Sequence, residues 1–174
     1  PARQCTGDAL EQMPADGNRY EVIDGELYVT AAPHYEHQAI LSQIDAAFVN
    51  WYNQTERGWP LPGAGVKFAL HTGVIPDYVW ISDEQLAGVT THPATGQADG
   101  KLYAAPDLAV EILSPGRENE ERDREIKLTL YSRRGVKEYW LVDRTRRTVE
   151  VYRQTPAAAL ELAVTLTDQD TLTS

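Results

Sequence analysis

The sequence predicts a mixed α/β protein, a β-sheet flanked by helices, and three stretches carry that prediction. Residues 106–115 (PDLAVEILSP) hold Leu108, Ala109, Val110, Ile112 and Leu113 with no polar side, the pattern of a strand covered on both faces. Residues 33–54 place His37, Ile40, Leu41, Ile44, Phe48, Trp51 and Tyr52 at three- and four-residue spacing, one apolar stripe of a long helix. Residues 19–23 and 26–29 flank Asp24-Gly25, a pair that accepts positive φ at both turn positions and so marks a two-residue hairpin. With 174 residues the chain suits a single domain spanning 1–174, large enough to bury a core.

The remaining elements follow in order. Residues 6–13 suit a short helix capped by Thr6 or Asp8, with Leu10 and Met13 as its apolar points. After the hairpin and the long helix, residues 58–65 form a Pro/Gly-rich connection. Residues 66–70 and 77–82 are strands joined through His71, Thr72 and Gly73, and 83–104 hold one short helix near 83–87 and then a surface loop. The strand at 107–113 leads into a helix over 118–134 that Gly135 ends as a left-handed cap. Residues 136–143 and 148–153 make a second hairpin across an Arg-rich turn, and 160–166 add an edge strand. No internal repeat, linker or low-complexity tract divides the chain, so one mixed sheet is the economical architecture.

Composition narrows the function classes. Cys5 is the only cysteine, which excludes a disulfide framework or a cysteine metal site and fits a reducing compartment. Neither a signal-peptide pattern nor an 18-residue apolar run occurs, so a cytoplasmic protein with no membrane partner is expected. The first residue is Pro1, which suggests a trimmed start. Sixteen Lys and Arg against 26 Asp and Glu leave a net charge of −10, which argues for weak non-specific DNA affinity. The bases Arg122, Arg124, Lys127, Arg133, Arg134, Lys137, Arg144, Arg146 and Arg147 are clustered, so a basic face on an acidic body is the expectation.

Glu111 interrupts the most apolar strand, and a carboxylate there is costly unless paired, protonated or bound to a metal. Asp77 opens another apolar strand after Pro76, and Lys127 follows within a helical pattern. Two acids at one end of neighbouring strands suit Mg²⁺, which takes one or two carboxylates and completes its shell with water and substrate phosphate. Such an ion polarises a phosphoryl group and lowers the pKa of an attacking water. The competing reading makes Asp77 a turn cap and pairs Glu111 with a buried arginine. Asp123, Lys127 and Tyr131 share a helix face, so Lys127 is either an active-site ammonium or half of an exposed ion pair. His37 is either a packed core histidine or an assistant at the site, and Glu26 and Glu36 are further acids that could approach it.

Taken together, RYEVIDGEL (19–27), EHQ (36–38), Pro76-Asp77, APDLAVEILSP (105–115), Asp123, KLTLY (127–131) and GVKEYWLVD (135–143) resemble the Uma-two family. These are bacterial proteins of the restriction-endonuclease-like, PD-(D/E)xK nuclease superfamily. The resemblance runs from about residue 6 to 153 and implies a mixed sheet of about five strands with helices on both sides. It also implies a Mg²⁺ or Mn²⁺ site formed by Asp77 and Glu111. One departure matters: two residues beyond the acid, where the superfamily pattern has lysine, this chain has Leu113. The family's lysine falls in the following helix, which nominates Lys127. Relatives continue past the point where this chain stops, so a truncated C-terminus is expected.

Two readings follow. In the first the protein is a metal-dependent endonuclease, a hydrolase cutting DNA phosphodiesters. Asp77 and Glu111 hold the metal, Lys127 activates the water and stabilises developing charge, and His37 or Glu26 assists. The alternative is a catalytically inactive or regulatory module that keeps the nuclease fold as a homodimer, which the acidic bulk favours.

Overall fold

Turn chemistry starts the fold. In the structure, a computed structural model describing residues 5–172, Thr6 caps a 3₁₀ turn (Gly7–Gln12) by accepting the Ala9 N–H at 3.3 Å. Pro1, the alternative cap through the Asp8 side chain, and the chain end at Thr173-Ser174 lie outside what is described. Strands β1 (Arg19–Ile23) and β2 (Glu26–Thr30) pair antiparallel with Ile23 opposite Glu26, closed by Asp24 at φ 51° and Gly25 at φ 88°. Both turn residues are left-handed, as a type I′ hairpin needs.

Two segments depart from expectation. β3 (Trp59–Pro62) is a strand where the Pro/Gly content predicted a connection, and it sits at a sheet edge, where prolines remove no needed ladder bond. A second departure follows β4 (Val66–Ala69). The chain reverses at Leu70-His71, and β5 (Thr72–Val74) forms from residues read as a joining turn, with Gly73 opposite both Val22 and Lys67. Pro76 then separates β5 from β6 (Tyr78–Ile81). The outcome is two sheets rather than one, because β4 and β6 pair with different partners.

The smaller sheet has the order β2-β1-β5-β4. The larger has six strands, β10-β9-β8-β7-β6-β3, with β7 (Leu108–Ile112), β8 (Glu138–Asp143), β9 (Thr148–Gln154) and β10 (Leu160–Thr167). Among the paired strands of the described residues, β7 and β8 alone run parallel, joined by a helical crossover. The expected mixed class therefore holds.

Helix α1 (Tyr35–Thr55) covers one face of the larger sheet, with the Phe48 ring 5.1 Å from Tyr78 and 5.7 Å from Trp140. A short α2 (Asp83–Leu86) precedes the long loop to β7. The crossover is α3 (Arg117–Glu121), a π-helical turn (Arg122–Lys127) and α4 (Leu128–Arg134), ended by Gly135 at φ 84°. Its Leu130 and Tyr131 share the main core with Val79, Ala109 and Leu141 of the larger sheet and Ile23 and Val74 of the smaller. Among the described residues no helix is long and apolar enough to cross a membrane.

Candidate active site

Glu111 and Asp77 are set by strand register. β6 and β7 pair antiparallel with Tyr78 opposite Val110, so one step further puts Asp77 opposite Glu111. Alternation along each strand turns both acids toward the face that carries Val79 and Ala109 in the main core. The link is tied by a backbone donor: the Ile112 N–H donates to Asp77 Oδ2 at 2.8 Å.

Lys127 comes from the π-helical turn. A regular helix cannot bring residues five apart onto one side, whereas a π turn, with its i→i+5 hydrogen bonds, does. Arg122 and Lys127 are both buried with Asp123 between them. The Lys127 ammonium is 0% exposed and donates to Glu111 Oε1 at 2.8 Å. It also lies 3.0 Å from Glu21 Oε1 and 3.8 Å from Asp123 Oδ1. The alternative of an exposed ion pair is thus corrected to a buried three-carboxylate socket. Tyr131, one turn on, donates its hydroxyl to the same Glu111 oxygen at 2.7 Å.

Glu21 is the acid that sequence reading passed over. It is fully buried on β1 and accepts the Ile75 N–H at 2.7 Å. The signal was present: Glu21 interrupts an apolar strand just as Glu111 does. Arg19, two residues earlier, places Nη1 2.5 Å from Asp77 Oδ1. His37, at the start of α1, places Nε2 2.9 Å from Asp77 Oδ2 and is itself buried. Glu26 does not join them. It is exposed beside the hairpin turn and accepts the Tyr28 hydroxyl, since β2 is the outer strand of its sheet. Glu36 is exposed as well and pairs with Arg144.

The geometry just described coincides with a family assignment. A family model described as "Putative restriction endonuclease", Uma2, matches residues 8–174. The chain belongs to the Uma2 family. Its fold resembles the crystal structure of a "putative nuclease belonging to DUF820" from Anabaena variabilis ATCC 29413, with a TM-score of 0.73 and 21% identity. That match covers 98% of this chain and 88% of the other, and at that identity it carries the fold. No curated protein matches the sequence.

Charge is distributed unequally in this Uma2 site. Burial opposes ionisation of Asp77, but the His37 hydrogen bond and the Arg19 charge outweigh it and hold the carboxyl well below the usual range. Burial likewise disfavours ionised Glu21, and Lys127 and Arg19 overcome it, so this carboxyl is also lowered. Glu111 goes the other way. Burial, which Lys127 only partly offsets, and the nearby Asp77, Asp123 and Glu21 push it up to about 8. Lys127 is raised to about 12 against its own burial, through Glu111 and Glu21. Ionised Glu21 keeps Lys127 charged whichever state Glu111 adopts.

The donor set fits a hard divalent cation in one respect and resists it in another. Glu111 Oε2 and Glu21 Oε2 are buried with no hydrogen-bond partner among the described residues, as is His37 Nδ1. A buried carboxylate oxygen without a donor costs about 1–3 kcal/mol, so its retention points to a missing ligand. Against this, Arg19 covers Asp77 Oδ1, and no group of three acids or histidines among the described residues is arranged to hold a metal as it stands.

The expected basic face is also corrected. Most of the clustered bases are spent on the protein's own acids: Arg122 on Asp123, Arg124 on Asp143 and Glu150, Arg133 on Asp24, Lys137 on Asp107. Arg144 pairs with Glu36, Arg146 with Asp143 and Arg147 with Asp168. With 26 acids available, intramolecular pairing outcompetes an open cationic surface.

Proposed function

We propose that this Uma2 protein is a divalent-cation-dependent endonuclease that hydrolyses DNA phosphodiester bonds, with Asp77 and Glu111 as ligands of Mg²⁺ or Mn²⁺. The observation that carries the reading is Glu111: one oxygen takes Lys127 and Tyr131, and the other is buried without a partner on the strand beside Asp77. When bound, the cation supplies Lewis-acid polarisation of the phosphoryl group and a more acidic water.

The chain's own residues do the rest. Tyr131 and Lys127 clamp Glu111 Oε1 and so fix the direction of its free oxygen. His37 and the Ile112 N–H orient Asp77 through Oδ2, which makes His37 a positioning residue. The Lys127 ammonium, in a site walled off from water, offsets negative charge that builds on the phosphoryl oxygens more strongly than it would in solvent. The family description and the nuclease-like neighbour support this reading at the level of nuclease chemistry.

A cleavage screen over plasmid, single-stranded DNA, RNA and branched DNA with Mg²⁺ or Mn²⁺ tests it. Cleavage of a DNA form that disappears in Asp77→Asn and Glu111→Gln supports the proposal. Equal activity in both variants refutes it. A second reading, a catalytically inactive homodimeric module, is favoured by the self-neutralised basic cluster. Binding without cleavage in that screen, together with a dimer in solution, would select it.

A further inference from the structure

We propose that Arg19 is a displaceable counter-ion. It occupies Asp77 while the site is free of metal, and it transfers to a phosphate oxygen of the nucleic-acid substrate when a divalent cation claims Asp77. The inference rests on the metal-dependent reading above and assigns a binding role to a residue which that reading leaves unused.

Four observations carry it. Asp77 Oδ2 is already engaged by His37 and the Ile112 N–H, so Oδ1 is the oxygen left for a cation, and Arg19 Nη1 stands 2.5 Å from it. A guanidinium and a hard dication compete for the same lone pairs. Second, Arg19 is the outermost member of the cluster. Its side chain is 25% exposed, whereas Asp77 is 2% and Lys127, Glu21 and Glu111 at most 1%. It can leave without opening the core. Third, Arg19 lines a cleft of about 410 Å³ with Tyr20, Ile75, Lys67 and Lys101, so the freed side chain has room. Guanidinium binds two phosphate oxygens in a fork, which suits the freed side chain to that anion. Fourth, the backbone of Arg19 is fixed by pairing with Thr30 in β1–β2, so the movement belongs to the side chain alone.

The electrostatic logic is exchange of one cation for another, the dication bringing one more positive charge than Arg19 withdraws. Glu21, Asp77 and Glu111 form a buried acidic group for which Lys127 alone is one cation. Arg19 neutralises Asp77 in the absence of metal and becomes surplus once the dication is in place. The surplus charge is then available to a phosphate in the cleft that Arg19 lines.

Calorimetric titration with Mn²⁺ on the intact protein, wild type against Arg19→Gln, Arg19→Lys and Asp77→Asn, tests the exchange. Removing the competing cation should tighten Mn²⁺ binding by about tenfold in Arg19→Gln, while Arg19→Lys stays close to wild type. With Ca²⁺ in place of Mn²⁺, Arg19→Gln should lose about tenfold in affinity for a short oligothymidylate. A merely structural salt bridge would weaken metal binding when removed, so unchanged or weaker Mn²⁺ binding in folded Arg19→Gln overturns the proposal. Wild-type protein gives an independent readout: phenylglyoxal modification of Arg19, followed by peptide mass spectrometry, should speed up several-fold on adding Mn²⁺. An unchanged rate overturns the exchange even if Arg19→Gln fails to fold. Failure of the metal reading looks different. Wild type and Asp77→Asn would then bind Mn²⁺ equally or not at all, and Arg19→Gln would gain nothing.

Discussion

Replacing Lys127 by methionine keeps most of the stem volume and deletes the ammonium. In the native site that ammonium sits 2.8 Å from Glu111, 3.0 Å from Glu21 and 3.8 Å from Asp123, with no solvent exposure. Its loss leaves two fully buried carboxyls facing each other with no cation between them. Removing one partner of a buried ion pair costs about 3–5 kcal/mol. Glu111, raised to about 8, already favours its protonated form at neutral pH, which pulls the loss toward the lower end of that range. For a domain of this length each kcal/mol moves the melting temperature by about 2–4 °C, so Lys127→Met should melt roughly 6–20 °C below wild type. Thermal unfolding followed by far-UV circular dichroism at neutral pH measures it. Glu21 is the carboxylate left ionised, so adding Glu21→Gln to Lys127→Met should restore more than half of the loss, and Glu111→Gln should restore less. A single variant that melts within about 2 °C of wild type would refute the buried-socket account.

Three further outcomes follow from the same structure. Glu111 has a folded value of about 8, above the ordinary 4.5, so its contribution is full below about pH 4.5 and is lost as pH rises toward 8. Wild-type stability should therefore fall relative to Glu111→Gln by up to about 1.4 kcal/mol per pH unit between pH 5 and 8, and parallel curves in chemical denaturation would contradict it. Gly25→Val forces a branched residue to φ 88° at the hairpin turn and should cost about 1–2 kcal/mol; an unshifted melting curve counts against the turn. DNA affinity should be weak and steeply salt-dependent, and because Arg146 and Arg147 are paired with Asp143 and Asp168, neutralising both should change it less than twofold. Binding that stays tight at high salt points to a different partner.

Strong local patterns were legible in the sequence. The Asp24-Gly25 hairpin, the α1 stripe, the buried β7 and the Gly135 cap each rest on one residue-level rule, and each is present. β3 and β5 were not, because prolines and a Thr72-Gly73 pair mask a strand whose pairing is decided by tertiary partners. At the site, the register that sets Asp77 opposite Glu111 follows from two adjacent apolar strands. Glu21 and Arg19 come from the smaller sheet, whose approach to the larger one leaves no periodic trace. Nor could helical periodicity alone say that Lys127 points inward, since Ile126, Leu128 and Leu130 spread apolar residues around the helix.

The π-helical turn also bears on how the buried acids take their ammonium from a helix. Position 113 lies two residues beyond Glu111 on the same side of the chain, and here it is Leu113, packed into the main core. An ammonium there would open the core beneath the site. Supplying the charge from the crossover helix leaves Leu113 apolar, but a regular helix offers only the Asp123, Lys127, Tyr131 stripe to the sheet. The π turn adds Arg122 to that stripe, and Arg122 then bonds both Asp123 and Thr30 of β2. Asp123 is thereby satisfied from one side while it borders Lys127 on the other, and the helix is pinned to the smaller sheet that supplies Glu21 and Arg19. One extra residue in one helical turn thus couples the two sheets at the point where their acids meet, and Lys127 becomes the shared cation of both.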